Sequence, residues 1–280
     1  MDKQLEQQII TWLKEDIGDG DHTSLSCIPE TAEGKSQLII KEKGVLAGVE
    51  VAKKIFSSFD DQLKMTTFIQ DGQEVNIGDV AFIVEGKVLS LLQTERVMLN
   101  VMQRMSGIAT TTRHYAKQLE GLKTKVLDTR KTTPGLRLLE KEAVRIGGGV
   151  NHRIGLYDMI LLKDNHVDFA GGIQKAILAA QDYLAKHEKS LKIEIEVRNF
   201  KEIEQVLEIG GVDRIMFDNF SIEQTRKGVA MINGRYETES SGGIIFETLR
   251  AYAECGVDYI SVGALTHSVK SLDMSFKAMK

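Results

Sequence analysis

Cysteine is scarce in this chain, which contains two among its 280 residues, Cys27 and Cys255. They are far apart in sequence and form no Cys-x-x-Cys pair, so the sequence predicts neither a disulfide framework nor a structural zinc site. No apolar run is long enough to span a membrane, and the N-terminus has no apolar core followed by a cleavage site. We therefore expect a soluble protein of the reducing cytoplasm, without a membrane partner.

The chain also lacks an excess of positive charge. Its net charge is −4 at pH 7, which does not favour binding to nucleic acid. Residues 128–163 reverse this balance locally, because they contain seven Lys or Arg against four Asp or Glu. A basic segment of this kind within an acidic chain favours a small anionic ligand over a charged polymer.

Six short apolar runs in the second half of the chain each end in charged or glycine-rich residues. They are VLDTRK (126–131), MILLKDN (159–165), IEIEVR (193–198), RIMFDN (214–219), YETESSGG (236–243) and YISVGA (259–264). Helical stretches separate them, such as LRLLEKEAVRI (136–146), in which an apolar stripe lies opposite a charged side. In a parallel α/β barrel the C-terminal strand ends line one mouth. The pattern predicts an irregular or open parallel α/β barrel whose recurring charges meet at one site.

The first part of the chain has a different pattern. Leu5, Ile9, Trp12 and Leu13 are spaced as on one face of a helix. Residues 36–88 look strand-like, residues 89–120 look helical, and SLDMSFKAMK (271–280) looks like a short closing helix. With 42% hydrophobic residues the chain can bury a large core. We expect an N-terminal domain at 1–106, a barrel domain at 107–268, and a C-terminal tail, 269–280, that packs with the N-terminal domain.

Basic side chains follow the first predicted barrel strand. Arg130 and Lys131 come directly after it, and the glycine triplet at 147–149 opens a loop with His152 and Arg153. Arg binds carboxylates and phosphates through two parallel hydrogen bonds, whereas Lys contributes a compact charge. A single loop arginine is usually solvated or paired with a neighbouring acid. As a set on one barrel rim, these residues favour a ligand with several anionic groups.

Lys163 ends the second predicted barrel strand and precedes Asp164. A lysine just past a buried strand can be a Schiff-base nucleophile or an anchor for an anion. It can equally be a structural lysine that pairs with Asp164. The sequence alone does not separate these three interpretations.

Glu196 and Asp218 lie at the ends of two further predicted strands. Carboxylates opposite basic groups can bind sugar hydroxyls, reach Mg²⁺ through water, or stabilise developing positive charge. A structural ion-pair network is the alternative. Because Glu194 and Glu196 share one strand face with Arg198, either carboxylate also fits a simple ion pair.

Glycine-rich turns follow the last two predicted strands. Ser241, Gly242 and Gly243 precede a helix that we expect to open at Ile244, and Gly263 follows the sixth strand. Free backbone N–H groups at a helix start, with no Cβ to block approach, bind phosphate well. Barrel enzymes often bind phosphate in these loops. The sequence therefore predicts a phosphate site on the same rim.

Long strings of this sequence resemble one enzyme family. The stretch DTRKTTPGLRLLEKEAVRIGGGVNHRIGLYDMILLKDNH (128–166) closely resembles the quinolinate phosphoribosyltransferases, the carboxylating nicotinate-nucleotide pyrophosphorylases of NAD biosynthesis. The resemblance continues, in order, through EDIGDGDHTS (15–24), TERVMLNVMQRMSGIATTT (94–112), EIEVRNF (194–200), MFDNFS (216–221), TESSGGI (238–244) and GVDYISVGALTHS (256–268). It implies an N-terminal α/β sandwich, an open α/β barrel, and a homodimer in which each N-terminal domain covers its partner's barrel; whether dimers assemble further stays open.

The resemblance also implies roles for individual residues. The family transfers the phosphoribosyl group of phosphoribosyl pyrophosphate to the ring nitrogen of quinolinate, with decarboxylation, and Mg²⁺ is its expected cofactor. The implied quinolinate ligands are Arg130, His152, Arg153, Lys163 and, from the partner subunit, Arg104. Lys131 and Lys163 would neighbour phosphoribosyl pyrophosphate. Glu196 and Asp218 would contact the ribose hydroxyls and reach Mg²⁺ held mainly by substrate. The 5′-phosphate would bind at Ser241, Gly242, Gly243 and Gly263. Lys131, Glu196 and Asp218 are the expected catalytic residues.

Two other functions fit parts of the sequence. A Schiff-base aldolase or lyase acting on a sugar phosphate would use Lys163 as its nucleophile. A non-catalytic carrier would use the segment DGQEVNIGDVAFIVEG (71–86), which looks like a biotinyl or lipoyl hairpin but lacks the lysine of its tight turn. Borohydride trapping at Lys163 tests the first alternative, and the mass of the intact protein tests the second.

Overall fold

The computed structural model describes residues 2–279, which form two compact units. The first unit comprises 2–111 with 269–279, and the second comprises 112–268. The helix α4, Val88–Gln118, contains the boundary between them. Among the described residues, no helix combines the length and the apolar character needed to cross a membrane.

The first unit is built on an antiparallel sheet. Besides α4, the elements of this unit are α1 (Asp2–Ile17), α2 (His22–Cys27), β1 (Glu33–Ile40), β2 (Gly44–Val45), α3 (Val49–Phe59), β3 (Lys64–Thr67), β4 (Glu74–Val75), β5 (Val80–Lys87) and β12 (Met274–Ala278). Four strands form one sheet in the order β12-β1-β5-β3, and β2 pairs with β4. The predicted first helix is confirmed as α1, with Ile9 and Leu13 buried.

Two elements of this unit differ from the sequence predictions. The closing helix predicted at 271–280 is wrong, because Met274–Ala278 is a strand that pairs antiparallel with β1. Its buried residues, Met274 and Phe276, alternate with less buried ones, which is strand periodicity. Within the strand-like region 36–88 the chain also forms α3, which buries Ile55 and Phe56. The aromatic ring of Phe56 lies 6.2 Å from that of Phe82 and 6.0 Å from that of Phe276, so both elements contribute to this core.

The second unit alternates strands and helices as predicted. Its elements are β6 (Lys125–Leu127), α5 (Arg137–Gly147), β7 (Ile160–Leu162), α6 (Asp164–Ala170), α7 (Ile173–Lys186), β8 (Ile193–Val197), α8 (Phe200–Ile209), β9 (Arg214–Asp218), α9 (Ile222–Ile232), β10 (Glu237–Ser241), α10 (Phe246–Ala253), β11 (Tyr259–Ser261) and α11 (Ala264–His267). All six predicted strands are confirmed. The helix expected at Ile244 begins at Phe246 instead.

The six strands form one parallel sheet in the order β6-β11-β10-β9-β8-β7. Within the described residues, no strand pairing joins β6 to β7, so the predicted open barrel is confirmed. An isolated bridge from Leu127 to Val150 extends the β6 edge. All five residues of β8 are buried, including two glutamates, which places charge inside the sheet as well as at its rim.

Candidate active site

Two arginines from different loops lie near each other at the C-terminal edge of the parallel sheet. Arg130 follows β6 and is exposed, whereas Arg153 lies before β7 and is 9% exposed. Burial lowers the pKa of the Arg153 guanidinium, and the nearby charge of Arg130 lowers it further. The Nη1 atom of Arg153 donates to the carbonyl oxygen of Met159 at 3.2 Å, which holds the guanidinium in place. Two positive charges kept close together in this way suit an anionic ligand.

A buried ion pair supports this basic loop from below. The Nζ atom of Lys141 on α5 lies 2.5 Å from the carboxylate of Asp128 and 2.9 Å from the carbonyl oxygen of His152. Asp128 also accepts from the backbone N–H of His152 at 2.8 Å. Burial raises the pKa of Asp128 and lowers that of Lys141, while each charge favours the other. The pair therefore fixes the loop before Arg153 to the end of β6. The prediction that the charges of α5 face away from its apolar stripe is wrong for Lys141, which is 2% exposed.

A lysine and two carboxylates meet at the ends of β7, β8 and β9. The Nζ atom of Lys163 lies 3.5 Å from Oε2 of Glu196. Burial raises the pKa of Glu196, Lys163 opposes that rise, and the negative charge of Asp218 adds to it. Lys163 thus pairs with Glu196 rather than with the predicted Asp164. Its side chain is 48% exposed and pairs with a carboxylate, unlike the desolvated lysine of an apolar pocket that serves as a Schiff-base nucleophile.

The glycine turn after β10 packs directly against Asn219. Asn219, at the end of β9, has φ +54°, and its backbone N–H donates to the carbonyl oxygen of Ser241 at 2.9 Å. A Cβ atom on Gly242, where φ is +95°, would overlap the side chain of Asn219. Gly243 has φ +62° and open space around the Cβ position. The turn therefore presents backbone without side-chain obstruction, as a phosphate site requires.

The loop after the last strand contacts the loop after the first. A Cβ atom on Gly263 would lie 3.0 Å from Cδ of Lys131, and the hydroxyl of Thr266 donates to the carbonyl oxygen of Lys131 at 2.8 Å. This close approach is possible because β6 and β11 are neighbours in the sheet. Lys131 is thereby brought beside one of the predicted phosphate-binding glycines.

The structure thus groups most of the predicted site residues at one edge of the parallel sheet. Arg130 lies near Arg153, Lys131 against Gly263, and Lys163 against Glu196. Asp218 accepts from the Asn219 amide at 2.9 Å, which joins it to the turn at Ser241 and Gly242. Arg104 lies on α4 in the first unit, so its predicted arrival from a partner subunit stays a prediction.

His152 is placed differently from the other predicted ligands. Its Nδ1 atom accepts from the backbone N–H of Arg153 at 2.7 Å, and its Nε2 atom lies 3.0 Å from Oε2 of Glu194. Both ring nitrogens therefore face protein groups in this conformation. Its predicted contact with quinolinate stays a prediction.

The sequence reasoning missed a set of charged residues inside the sheet. Glu194, Arg214 and Glu239 are buried on neighbouring strands, and Arg214 contacts both glutamates. The signal was available in part, because Glu194 interrupts the apolar run of β8 within the strand rather than after it. Only the pairing register of β8, β9 and β10 reveals that they meet.

Known proteins provide an independent comparison with this geometry. The family models for the N-terminal and the C-terminal domain of quinolinate phosphoribosyl transferase match residues 21–106 and 108–277. A quinolinate phosphoribosyltransferase (decarboxylating) of Nicotiana tabacum is 44% identical, over 95% of this chain and 79% of its own length. A probable nicotinate-nucleotide pyrophosphorylase (carboxylating) of Bacillus subtilis is 43% identical, over 97% of this chain and 92% of its own length.

Solved structures agree with the sequence relatives. The crystal structure of NadC from Streptococcus pyogenes superposes with a TM-score of 0.94 at 40% identity, covering 100% of this chain and 99% of that one. The family models together span both units of the fold, and the relatives align over nearly the full length. This chain belongs to the quinolinate phosphoribosyltransferase family.

Proposed function

We propose that this protein transfers the phosphoribosyl group of phosphoribosyl pyrophosphate to the ring nitrogen of quinolinate, giving nicotinate mononucleotide, pyrophosphate and CO₂ for NAD biosynthesis. The names of its relatives support this reaction. The structural observation behind the proposal is the meeting of basic side chains, a carboxylate pair and a glycine turn at one edge of the parallel sheet. Each of these three groups matches one part of the two substrates.

The paired arginines fit quinolinate. Quinolinate has two adjacent carboxylates on a pyridine ring, and arginine binds a carboxylate through two parallel hydrogen bonds. Arg153, buried and held by Met159, would bind one carboxylate, and the exposed Arg130 would close over the other. Two fixed contacts orient the ring nitrogen, which lowers the entropic part of the barrier.

The carboxylates at the ends of β8 and β9 fit the sugar-transfer step. Attack of the ring nitrogen at C1 of the ribose proceeds through a transition state with oxocarbenium character. Glu196 and Asp218 would bind the ribose hydroxyls in the ground state and stabilise the positive charge as it develops. Lys131 would stabilise the negative charge of the departing pyrophosphate.

The same residues fit a magnesium ion that is held by the substrate. Glu196 and Asp218 offer carboxylate oxygens, which Mg²⁺ prefers, but Lys163 already lies 3.5 Å from Glu196. Their fit is therefore to the water shell of an ion bound to pyrophosphate, not to direct ligation. When bound, the ion supplies neutralisation of the leaving group's charge.

Decarboxylation needs no covalent intermediate on the protein. Once the ring nitrogen is bonded to ribose, the pyridinium is cationic and stabilises the carbanion left when the C2 carboxylate departs as CO₂; a proton from water then adds at C2 and completes nicotinate mononucleotide. The glycine turn at Ser241–Gly243, together with Gly263, would hold the 5′-phosphate throughout both steps. Positioning and electrostatics account for the chemistry.

The direct test is to incubate the protein with quinolinate, phosphoribosyl pyrophosphate and Mg²⁺ and to measure nicotinate mononucleotide and CO₂. We expect equal amounts of both products, and none when phosphoribosyl pyrophosphate is omitted. Sodium borohydride added during turnover should leave the protein mass unchanged. A substrate adduct at Lys163, or failure to form the mononucleotide, would contradict the proposal and favour an aldolase or lyase.

We also propose a homodimer in which Arg104 acts at the partner's site. Arg104→Ala and Arg130→Ala dimers should each be inactive alone. After subunit exchange, hybrid dimers would contain one site with both arginines intact, so activity should return. Exchange proven by tagged subunits without recovery of activity would show that each site is built from one chain.

We place the reaction in the cytoplasm. Both Cys27 and Cys255 are free thiols, as expected in a reducing compartment. Cell fractionation with an antibody to the protein would test this location, and enrichment in an oxidising compartment would argue against it.

A further inference from the structure

A buried acidic pair lies beneath the basic loop and has no part in the proposed chemistry. Glu194 on β8 and Glu239 on β10 are both 0% exposed. The Nε2 atom of His152 lies 3.0 Å from Oε2 of Glu194 and 3.6 Å from Oε2 of Glu239. One ligand atom from each of the three side chains falls within 4.8 Å of the others. Two carboxylates and an imidazole thus share one small buried space.

The positive charge around this pair is too little for two ionised carboxylates. Arg214 places Nη1 3.1 Å from Glu239 and 3.8 Å from Glu194, and its Nη2 atom lies 3.1 Å from the partly exposed Glu237. Both oxygens of Glu194, Oε1 of Glu239 and Nε2 of His152 have no hydrogen-bond partner among the described residues, although Nε2 lies 3.0 Å from Oε2 of Glu194. Buried carboxylates so close together cannot both ionise at low cost, and a proton on one of them supplies a missing donor.

His152 does not supply the second positive charge. Its Nδ1 atom accepts a hydrogen bond from the backbone N–H of Arg153, and a ring nitrogen that accepts carries no hydrogen. The imidazole is therefore the neutral tautomer with its hydrogen on Nε2, directed at the acidic pair. Burial lowers the pKa of His152; the charge of Glu239 opposes this, and the charges of Arg214, Lys141 and Arg153 add to it.

We infer that Glu239 is a neutral carboxylic acid in the resting protein and that it acts with Glu194, through His152, as a positioning residue for Arg153. This inference rests on the proposed function, in which Arg153 binds quinolinate. Protonated Glu239 donates a hydrogen bond to Glu194, Glu194 faces Nε2 of His152, and Nδ1 of His152 accepts from the backbone N–H of Arg153. A metal ion between His152, Glu194 and Glu239 would lie beside the positively charged Arg214 guanidinium, which would repel it. A proton on Glu239 avoids this repulsion.

The surroundings of Glu239 support this assignment. Burial raises the pKa of Glu239 to about 8, and the charge of Glu194 adds to the rise. Burial raises the pKa of Glu194 to about 7, while Arg214 and a hydrogen bond from Glu239 lower it. The remaining groups that face the pair are His152, Arg153, Glu237 and Ser261.

Loss of the Glu239 proton should weaken quinolinate binding. Above about pH 8 a second negative charge would appear under the basic loop, where it repels the quinolinate dianion and attracts Arg153 away from it. We expect the KM for quinolinate to rise towards about tenfold per pH unit above that point, as one ionisation dictates. The KM for phosphoribosyl pyrophosphate should follow a different profile, since its predicted ligands lie at other strand ends.

The decisive variant is Glu239→Gln, whose amide has the shape and the neutrality of the protonated acid. At pH 7 its kcat/KM should stay within about threefold of wild type, because a donor still faces Glu194. Its KM for quinolinate should no longer rise above pH 8. Glu237→Gln is the matched control, since Glu237 lies on the same strand, contacts the same Arg214 and is partly exposed. It should keep the wild-type pH profile.

A second measurement does not depend on turnover. In protein labelled with ¹⁵N-histidine, His152 should be neutral with its hydrogen on Nε2 from pH 6 to pH 8, and His152→Asn would assign its signal. If wild type forms no mononucleotide, the proposed function fails while this spectrum still tests the buried pair. A wild-type rise in the quinolinate KM that persists in Glu239→Gln would overturn the inference. So would an imidazolium at pH 7, or one equivalent of Zn²⁺ bound by wild type and not by Glu239→Gln.

Discussion

Glu194 and Glu196 are two residues apart on β8 and point to the same side of the sheet, yet they occupy different environments. Glu196 lies at the rim, where Lys163 and Asp218 reach it and where substrate would arrive. Glu194 lies one layer deeper, contacts only protein groups and is closed to solvent. Under the proposed function, depth along the strand rather than residue type separates the carboxylate that would act on substrate from the one that would hold the site in shape.

The largest effect should come from breaking the buried ion pair between Lys141 and Asp128. The Lys141→Met variant leaves Asp128 buried without its counter-charge, which should lower the free energy of unfolding by about 3–5 kcal/mol. Chemical denaturation monitored by circular dichroism measures this loss. A change below about 1 kcal/mol would mean that the loop before Arg153 does not depend on the pair.

The second-largest effect should come from a substitution at the C-terminal edge of the parallel sheet. Arg130→Ala removes a predicted carboxylate contact and should cost about 2–5 kcal/mol of transition-state stabilisation, an effective loss of turnover. Because Arg130 is exposed in the free protein, the free energy of unfolding should not change. Steady-state kinetics with denaturation of the same sample separates the two. Near-normal kcat/KM would count against the assigned site.

The pH dependence of the free energy of unfolding should report the protonation of the buried Glu239. The pKa of Glu239 is raised in the folded protein, so the folded state binds more protons than the unfolded state from about pH 4.5 to pH 8. Its contribution to stability is complete below pH 4.5 and is lost as pH rises towards 8. The Glu239→Gln variant should remove up to about 1.4 kcal/mol per pH unit of that decline. Parallel curves for wild type and variant would show that Glu239 is ionised throughout.

The smallest effect should come from the partly exposed ion pairs of Arg198, which belong neither to the rim of the site nor to the buried acidic pair. Arg198, just after β8, pairs with Asp168 and Glu202 at 3.0 Å and 2.8 Å, but its side chain is 40% exposed. Arg198→Ala should change the free energy of unfolding by less than about 1 kcal/mol and leave kinetics unaltered. A larger loss would show that number of contacts, rather than burial, governs the value of these ion pairs.

Much of the parallel sheet could be predicted from the sequence because most of its strands end where apolar residues give way to charged or glycine-rich ones. The rim positions of Arg130, Lys163 and Glu196 followed from that pattern. Burial of Lys141 could not be predicted, since its partner Asp128 belongs to another element. The helix α3 was missed because Val49 and Val51 alternate like strand residues before the helical spacing of Ala52, Ile55 and Phe56 begins.

The contacts among Glu194, Arg214 and Glu239 could not be predicted from the sequence, for a further reason. Strand register is set by long-range pairing, and a shift of one residue would have turned these side chains to the helical layer. The strand β12 was mistaken for a helix because its pairing partner, β1, lies at the other end of the chain. Local patterns identify elements, whereas only three-dimensional pairing identifies their neighbours.

The contact between Lys131 and the loop of Gly263 has a consequence for the ligand-bound protein. β6 and β11 are the first and last strands of their unit, and they lie side by side. A phosphorylated substrate gripped by both loops would act as a reversible cross-link between the beginning and the end of that unit. Amide hydrogen exchange in β6 and β11 should therefore slow together on saturation, because the bound molecule would join the loops that follow the first and the last strand of the unit.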